Sequence, residues 1–345
     1  MTEIKLLAID LAKRVFQVHG IDGSGAKVLE RRLLRDQVEP FVAGLPACEI
    51  AMEACGSAHD WGRRFVALGH RVRLIPPPEV ARLVDRRKKN DRRDAQAIAL
   101  AARLEHVRPV PLKSAEAQAE QFEHRARAQL IKARTSFINL LRSMLLEFGI
   151  AVPKGPTSLK RQRDGTMAGA RFQAMPAAGQ AMAADLYARI DELDAAVAAA
   201  DRRIAALVKQ RPASRLLLTI PGIGPINASA FPAAIPDIQA FANGRAFAAM
   251  LGLVPKQDSS GEKVALGAIT KRGNRYLRAL LVHAGRALLV KAMRTQNPDD
   301  GLLAWAKALR RRMPWNRATV ALANKLARIV WAVLAFNQPY RPRPV

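Results

Sequence analysis

The sequence predicts an α/β domain with a mixed sheet, then a helical insertion, and then a mostly α-helical C-terminal region. Over residues 1–112, short apolar runs alternate with turn residues and amphipathic stretches, as in a sheet with helices packed on it. A long stretch free of Gly and Pro follows. Half of the 345 residues are hydrophobic, which allows a sizeable core and two or three domains.

The N-terminal region begins with three predicted strands, and the Gly-rich turn at residues 22–25 joins the second to the third, which is typical of a meander. The predicted elements are strands at residues 4–9, 14–20 and 27–31, a helix at 37–43, a strand at 48–52, a helix at 61–68, a strand at 71–75 and a mostly helical segment at 78–106. This order, β-β-β-α-β-α-β-α, favours a mixed sheet with helices packed against it.

The middle of the chain predicts two long helices around a loop. The first covers residues 114–147, which lack Gly and Pro, and the second starts near Ala181. The second carries a heptad seam of apolar residues, namely Leu186, Ile190, Leu193, Val197, Ala200, Ile204 and Leu207. Residues 149–180 between them are expected to form a flexible loop. The two helices suggest a hairpin that packs on itself or on a second subunit, although ordinary core helices of one domain are an alternative.

A third region begins near residue 213 and is expected to be helical. Its predicted features are the turn at 221–225 with a helix after it, a helix at 246–251, a polar loop at 256–261, a long basic helix from 271 and a helical C-terminal part at 302–336. The predicted domains are therefore an acidic-motif domain at 1–112, a coiled-coil hairpin at 113–212 and a C-terminal domain at 213–345.

The charge of the chain points to a polyanionic partner. Lys and Arg number 56 against 29 Asp and Glu, a formal net charge of +27. Aromatic residues make up only 5% of the chain, which disfavours a protein that binds mainly by stacking bases on aromatic platforms.

Other features argue against secretion, a membrane and a disulfide scaffold. The start, Met1–Lys5, is polar, and no apolar run reaches the ~18 residues that a membrane span needs. Cys48 and Cys55 have no ligand companions at metal-site spacing. We read the six histidines (His19, His59, His70, His106, His124 and His283) as structural or surface residues. A reducing cytoplasm is the expected location.

Four carboxylates stand where a metal site would need them. Asp10 and Glu53 each end a predicted strand, and Asp91 and Asp94 share one face at helical spacing. Such hard oxygen ligands suit Mg²⁺ or Mn²⁺, and a pair of ions about 3.5–4 Å apart can clamp the attacking and leaving oxygens of a phosphodiester.

Each of these acids alone has an ordinary explanation. An Asp after a strand is commonly a turn or N-cap residue, and a Glu there is commonly solvated. Asp91 lies among Arg and Lys residues and could simply balance their charge. Only the combination, in this strand order and in a basic chain, favours a metal site.

Six motifs resemble one known family, in order, over nearly the whole chain. Three resemble the acidic motifs of the insertion-sequence 110 family of DEDD transposases, which includes the Piv-type DNA invertases: Ala8–Lys13, Met52–Gly56 and Asn90–Ala95. Three resemble its C-terminal transposase domain: Thr219–Pro225, Leu251–Pro255, and Ser260–Gly261 through Lys271–Asn274. The resemblance implies an RNase H-like N-terminal domain of the RuvC resolvase kind and a coiled coil between the two domains.

The same resemblance implies a nucleophilic serine. Family members place it immediately before a glycine in the polar loop, a position that Ser260 occupies here. Without the resemblance, a serine in such a loop is usually a turn residue. Ser259 stands where a charged residue is often found, so its hydroxyl could share or replace that role. No His or Lys base is evident nearby, and bound cations could stabilise the serine oxygen.

Glycines and basic residues are the candidate nucleic-acid contacts. Gly222 and Gly224 could bring backbone N–H groups to a phosphate, as in a helix-hairpin-helix, or could form only a tight interhelix turn. The basic candidates are Arg86, Arg87, Lys88, Lys89, Arg92, Arg93, Lys160, Arg161, Arg163, Lys271, Arg272 and Arg275. A run of charge is usually a solvated face, but the net charge of +27 favours phosphate contacts with salt-dependent affinity.

The favoured function is a transposase or site-specific recombinase that cuts and rejoins donor and target DNA through a phosphoserine. The resemblance implies that an element-encoded guide RNA pairs with both DNAs and chooses the target. Strand exchange between two DNA partners requires at least a dimer, and a tetramer also fits. The alternatives are a metal-dependent junction-resolving nuclease, which would not need Ser260, and a non-enzymatic nucleic-acid scaffold.

Overall fold

The computed structural model describes residues 3–84, 91–257, 265–296 and 299–342. Within them the strands are β1 (Leu6–Asp10), β2 (Val15–Ile21), β3 (Lys27–Leu34), β4 (Glu49–Glu53), β5 (Arg71–Ile75), β6 (Pro255–Gln257) and β7 (Leu266–Ile269). The helices are α1 (Arg35–Ala43), α2 (Ala58–Ala67), α3 (Pro77–Leu83), α4 (Asp91–Arg103), α5 (Ala115–Glu147), α6 (Pro156–Arg161), α7 (Arg163–Ala168), α8 (Ala170–Gln173), α9 (Ala177–Gln210), α10 (Pro212–Leu217), α11 (Pro225–Ala234), α12 (Gly244–Met250), α13 (Arg275–Arg294), α14 (Gly301–Arg312) and α15 (Trp315–Ala335).

The chain forms two compact units. The first consists of Met1–Gln118 with Ile235–Ala240, and the second of Ala119–Ala234 with Phe241–Val345. The predicted mixed α/β region followed by helices is confirmed, since the five-stranded sheet lies in the first unit. The finer division into three domains stays a prediction.

The sheet of the first unit has the strand order β3-β2-β1-β4-β5. β2 pairs antiparallel with both β1 and β3, whereas β4 pairs parallel with both β1 and β5. The predicted mixed sheet and the order of its elements are therefore confirmed. The central strand β1 is buried almost throughout, which is typical of a strand covered by helices on both faces.

Alternate residues of β1 enter two separate cores. Leu7 and Ile9 pack with Trp61 and Phe65 of α2, on one face of the sheet. Leu6 and Ala8 face the other side, where small residues of α4 cover them. The four buried alanines of α4 in this core, Ala97, Ala99, Ala101 and Ala102, let the helix approach the sheet closely. This packing fixes α4 directly over β1.

The long helices α5 and α9 of the second unit form an antiparallel pair. Three ion pairs join them, and a fourth joins α5 to Arg211, directly after α9. The later the position on α5, the earlier its partner in the chain, as antiparallel helices require: Glu120–Arg211, Glu123–Arg203, Arg127–Asp201 and Arg134–Asp194. Beyond these, Leu141 and Leu145 of α5 enter a shared core with Leu186 and Ile190 of α9. The seam predicted for α9 is largely buried, although Leu193 and Leu207 are only half-buried.

The segment between these helices differs from the predicted flexible loop. It contains the short helices α6, α7 and α8, and its Leu159, Phe172 and Met175 are buried in the core of the helical pair. The prolines and glycines of this segment lie between short helices and do not prevent helix formation. A few well-spaced apolar side chains are enough to fold a short segment when a long helical surface is available to cover them.

The C-terminal helices pack around α13 and α15, which contact each other extensively. Gly285 of α13 makes this possible, because a Cβ there would come within 2.7 Å of the Thr319 carbonyl oxygen. Among the described residues, α15 is the one helix long and apolar enough to cross a membrane by length and composition. Its Leu322, Leu326 and Val330 are fully buried, as in the core helix of a globular unit.

Candidate active site

Asp10 and Glu53 lie side by side at one edge of the sheet. They are the last residues of β1 and β4, which run parallel with Ile9 opposite Met52. The next pair in that register is Asp10 and Glu53. Neighbouring strands are about 4.8 Å apart, so two carboxylates emerge from the same carboxyl edge.

The direction of α4 brings two more carboxylates toward this edge. A Cβ on Gly25, in the turn between β2 and β3, would collide with the guanidinium of Arg103. That turn follows Ile21, which pairs with Leu6 at the beginning of β1, so α4 ends near the start of β1. Hence α4 runs opposite to β1, and its first turns, with Asp91 and Asp94, lie toward the carboxyl edge.

The carboxyl edge carries a concentrated negative charge. Burial raises the pKa of the Cys55 thiol, and the nearby charges of Glu53 and Asp10 raise it further. Hard carboxylate oxygens of this kind fit Mg²⁺ or Mn²⁺. No three His, Cys, Asp or Glu side chains within the described parts of the chain come close enough to hold an ion, and the side chain of Asp91 is outside those parts.

A groove in the first unit is lined by basic residues that were not predicted as nucleic-acid contacts. Two of them, Lys13 and Arg14, follow Asp10 closely in the sequence. Lys13, Arg14 and Arg35 are exposed and line an open groove of about 860 Å³ in the first unit. The Arg35 guanidinium lies 5.3 Å from the centre of the Trp61 ring. The adjacent cations Lys13 and Arg14, shortly after the acidic strand end at Asp10, are the sequence signal that could have identified this surface.

Ser259 and Ser260 lie in residues 258–264, outside the described part of the chain. The flanking segments are β6 and β7, which pair antiparallel with Pro255 opposite Ile269. The predicted polar loop therefore begins inside a short strand, and the serines belong to the chain that connects two paired strands. These strands are short and exposed and show no apolar alternation, which is why the sequence did not predict them.

Two glycines hold the base of these strands against the start of α13. Gly252 and Gly273 both have φ near +70°, and a Cβ on either would collide with backbone of the other segment. Asn274 then caps α13 by accepting hydrogen bonds from the N–H groups of Tyr276 and Leu277, at 3.0 and 3.1 Å. The motif around Lys271–Asn274 is thus a rigid support for the strand pair.

The predicted basic residues around this support are accessible. Lys271, Arg272 and Arg275 are all exposed. Arg278, which was not predicted, donates to the carbonyl oxygens of Leu251 and Arg272 at 3.0 and 2.7 Å and ties the support together. The three exposed cations are available to phosphates.

The two predicted phosphate-binding glycines have different surroundings. Gly222 has φ of +85°, and a Cβ there would lie 3.0 Å from the Ala284 carbonyl oxygen of α13, so its small size serves helix packing. Gly224 has open space where a Cβ would be, directly before α11. Helix packing therefore requires a glycine at 222, and no neighbouring atom requires one at 224.

Two of the predicted basic residues in the middle segment are engaged in ion pairs. Lys160 contacts Asp194 and Asp191 at 3.0 and 3.3 Å, and Arg163 contacts Asp191 at 2.6 Å. Arg161 is exposed. Only part of this cluster therefore offers charge to a partner.

The basic tract before α4 is mostly outside the described residues. Residues 85–90, with Arg86, Arg87, Lys88 and Lys89, are not described, nor is the side chain of Arg92. Arg93, in the first turn of α4, is exposed.

A buried hydrogen-bonded cluster joins three helices of the second unit. His124 of α5 is 2% exposed, and its Nε2 lies 2.7 Å from Ser229 Oγ while its Nδ1 lies 3.1 Å from the Tyr276 hydroxyl. Burial lowers the pKa of His124 to about 4, and the nearby charge of Arg127 contributes. Ser229 is itself 1% exposed, so this Ser–His pair lies in the interior of the second unit.

Two family models match the chain. The transposase model for DEDD enzymes of IS110-type elements matches residues 7–150, which include the strand-end carboxylates. The model of the transposase IS116/IS110/IS902 family matches residues 214–298, which include the serine-bearing segment.

Curated relatives match over nearly their whole length. A probable family 20 transposase of Pseudomonas aeruginosa is 44% identical, with 97% of this chain and 98% of the relative covered. The transposase for insertion sequence element IS1111A of Coxiella burnetii is 39% identical, covering 99% and 92%. The transposase for IS1328 of Yersinia enterocolitica is 34% identical, covering 96% and 97%. With its strand-end acids and both family matches, the chain belongs to the IS110/IS116/IS902 family of insertion-sequence transposases.

Proposed function

We propose that this transposase cuts and rejoins donor and target DNA strands at a site formed by the strand-end carboxylates and Ser260. The observation that carries the proposal is the parallel register of β1 and β4, which sets Asp10 beside Glu53 at the edge toward which α4 directs Asp91 and Asp94. A strand order of β3-β2-β1-β4-β5, with two antiparallel and two parallel pairings, supports an RNase H-like domain of the RuvC kind.

The four carboxylates would hold Mg²⁺ or Mn²⁺. A divalent ion there would supply Lewis-acid stabilisation of the charge on the phosphate oxygens. The chain's own part is to fix the ligands: backbone pairing holds Asp10 and Glu53, and the alanine-rich face of α4 holds Asp94 against the sheet.

Ser260 would act as the nucleophile. Its Oγ forms a bond to phosphorus, the hydroxyl proton passes to solvent or a base, and the bond from phosphorus to the leaving sugar oxygen breaks as that oxygen gains a proton. The resulting phosphoserine ester keeps the energy of the phosphodiester bond. The hydroxyl of a new strand then attacks the same phosphorus and releases Ser260, so no external energy source is needed.

Nucleic-acid partners and assembly complete the proposal. A guide RNA encoded by the element would pair with donor and target DNA, while the protein grips backbones through its excess of Lys and Arg. Recombination of two DNA partners requires a dimer or a tetramer. The carboxylates and Ser260 must act on one phosphodiester, from one chain or from two copies. The three functional domains would be 1–112, 113–212 and 213–345.

The test is to trap the covalent intermediate. The protein is incubated with guide RNA, Mg²⁺ and a nicked suicide DNA, denatured and digested, and the modified peptide is identified by mass spectrometry. The expected result is an adduct on Ser260 that Ser260→Ala abolishes together with recombination, while RNA and DNA binding persist because no charge is removed.

Ser259→Ala is the matched control and should keep the adduct. An adduct on Ser259 would move the nucleophile by one residue. Efficient recombination by the double variant Ser259→Ala, Ser260→Ala would overturn the covalent mechanism and favour a purely metal-dependent nuclease.

A further inference from the structure

A second large groove lies in the second unit. It has a volume of about 1140 Å³ and is lined by the beginnings of α12 and α14, the second half of α15 and residues 336–342. The volume exceeds that of a typical small-molecule pocket, about 300–1,000 Å³, so the groove has room for a chain of several linked groups.

The charge of the groove is entirely positive. Its lining includes Arg245, Lys325, Arg328 and Arg341 and, within these described residues, no Asp or Glu. Asp300 lies beside the groove, where it caps α14 and accepts a hydrogen bond from Tyr340 Oη at 2.9 Å. Four cations in one groove favour a polyanionic ligand.

Aromatic rings are concentrated in the same groove. Trp305 and Trp331, two of the four tryptophans of the chain, line it together with Phe336. Phe336 is 66% exposed and packs edge-on against Trp331, with ring centres 5.7 Å apart. Lys325 Nζ lies 5.9 Å from the centre of the Trp305 ring. A large exposed phenyl ring beside cations is the arrangement on which an unpaired base can stack.

The walls of the groove are held rigidly. A Cβ on Gly244 would meet the Arg328 backbone at 3.0 Å, so α12 is in close contact with α15. The Trp331 indole N–H donates to the Phe241 carbonyl oxygen at 3.1 Å, and this bond fixes the ring through its edge. Preorganised walls reduce the entropy that is lost when a ligand binds.

We propose that this groove binds an unpaired stretch of nucleic acid, with bases stacked on Phe336 and Trp305 and phosphates against Arg245, Arg328 and Arg341. The inference rests on the proposed function, which supplies the nucleic-acid partners, and deepens it by naming where a single strand lies. Duplex is disfavoured, because its bases stack on one another and cannot reach the rings.

The experiment measures binding of short oligonucleotides to the full chain. Single-stranded RNA, single-stranded DNA of the same sequence and the matching duplex are compared by fluorescence anisotropy. The RNA and DNA arms decide which strand is the source. The expected result is that Phe336→Ala weakens single-strand binding about fivefold or more, as removal of one stacking platform predicts, and leaves duplex binding unchanged.

Charge variants and crosslinking locate the site. Arg245→Ala with Arg341→Ala should reduce the slope of log affinity against log salt by about 0.7 for each phosphate that is no longer neutralised. Photoreactive uridine in the single strand should crosslink to peptides that contain Trp305 or Phe336.

Two matched controls lie outside the groove. Phe122→Ala removes another exposed phenyl ring, 54% exposed on α5, and Arg311→Ala with Arg312→Ala removes the same charge from α14. Equal effects of groove and control variants, or crosslinks that map elsewhere, would overturn the proposal. So would a change in sedimentation with unchanged oligonucleotide affinity, which would identify a protein interface. Oligonucleotide binding in this groove needs neither metal nor Ser260. A failure of the groove proposal is therefore distinguishable from a failure of the proposed cleavage chemistry.

Discussion

Two regions of the molecule gather ionisable groups, and they arrange them in opposite ways. At the carboxyl edge of the sheet, Asp10 and Glu53 are neighbours and raise the pKa of a thiol beside them. Along the α5–α9 pair, acids and bases face each other across the helix interface. Like charges held together oppose folding, whereas alternating charges support it. The second arrangement supports the fold, and the first is where we propose that the chemistry takes place.

The pKa of Asp194 shows how the charges of the helical pair stabilise one another. Burial alone would raise the pKa of Asp194, but hydrogen bonds from Arg134 and Lys160 outweigh that effect and hold the pKa below its usual value. The carboxylate is stabilised in its charged form by partners of opposite sign.

The largest expected effect is on strand cleavage. Asp10→Asn and Glu53→Gln should each abolish cleavage and leave a folded protein, because these carboxylates repel each other without metal. Cleavage assays with Mg²⁺ and urea unfolding measure the two quantities. Glu49→Gln is the control, since Glu49 lies at the other end of β4 and pairs with Arg73 at 3.2 Å. It should keep cleavage, and full recombination by two of the carboxylate variants would refute the metal site.

The next effect is on stability in the second unit. His124→Ala leaves the buried Ser229 hydroxyl and the half-buried Tyr276 hydroxyl without this partner, which should lower the free energy of unfolding by about 3 kcal/mol or more. Urea unfolding measures it, with His283→Ala on exposed α13 surface as the neutral control. An unchanged urea midpoint for His124→Ala would show that these hydrogen bonds do not stabilise the packing of the three helices.

The same histidine predicts a pH dependence. The folded pKa of His124 is about 4 against 6.5 in the unfolded chain, so the unfolded state binds a proton that the folded state does not. Stability contributed by the neutral histidine is complete above pH 6.5 and falls as the pH drops toward 4, by about 1.4 kcal/mol per pH unit. His124→Gln should flatten that slope in unfolding experiments between these pH values; an identical slope would contradict the assignment.

The smallest effect concerns the interhelix ion pairs. The pair between Arg134 and Asp194, with a separation of 2.6 Å and both side chains about one-fifth exposed, should contribute about 0.5–1 kcal/mol. A double-mutant cycle with Arg134→Gln and Asp194→Asn measures it. The exposed pair of Arg189 and Glu192 within α9 is the control, and its double-mutant cycle should give a coupling energy near zero. Equal couplings would erase the distinction between interface and surface pairs.

Much of the fold could be predicted because its signals are local. The strands that end at Asp10 and Glu53 are apolar runs, and α5 lacks Gly and Pro over its length. The strand ends also located the candidate carboxylates. The parallel register that makes them neighbours is a long-range property, and the sequence suggested it only through the order of elements.

The features that were missed depend on distant residues. His124, Ser229 and Tyr276 come together from three helices, so no spacing in the sequence reveals them. Low aromatic content argued against base stacking, yet the fold brings Trp305 and Phe336 into one groove. An average composition cannot report such local concentration.

The antiparallel register of α5 and α9 limits how the length of this protein can change. Three ion pairs between the helices, and a fourth from α5 to Arg211 directly after α9, follow one antiparallel register, so deleting residues from one helix alone would move its charges past their partners. A deletion of about seven residues, two helical turns, from α5 is accommodated when α9 loses the same number at the facing position. Insertions and deletions in this helical pair should therefore be inherited in matched sets, so that the two helices change length together.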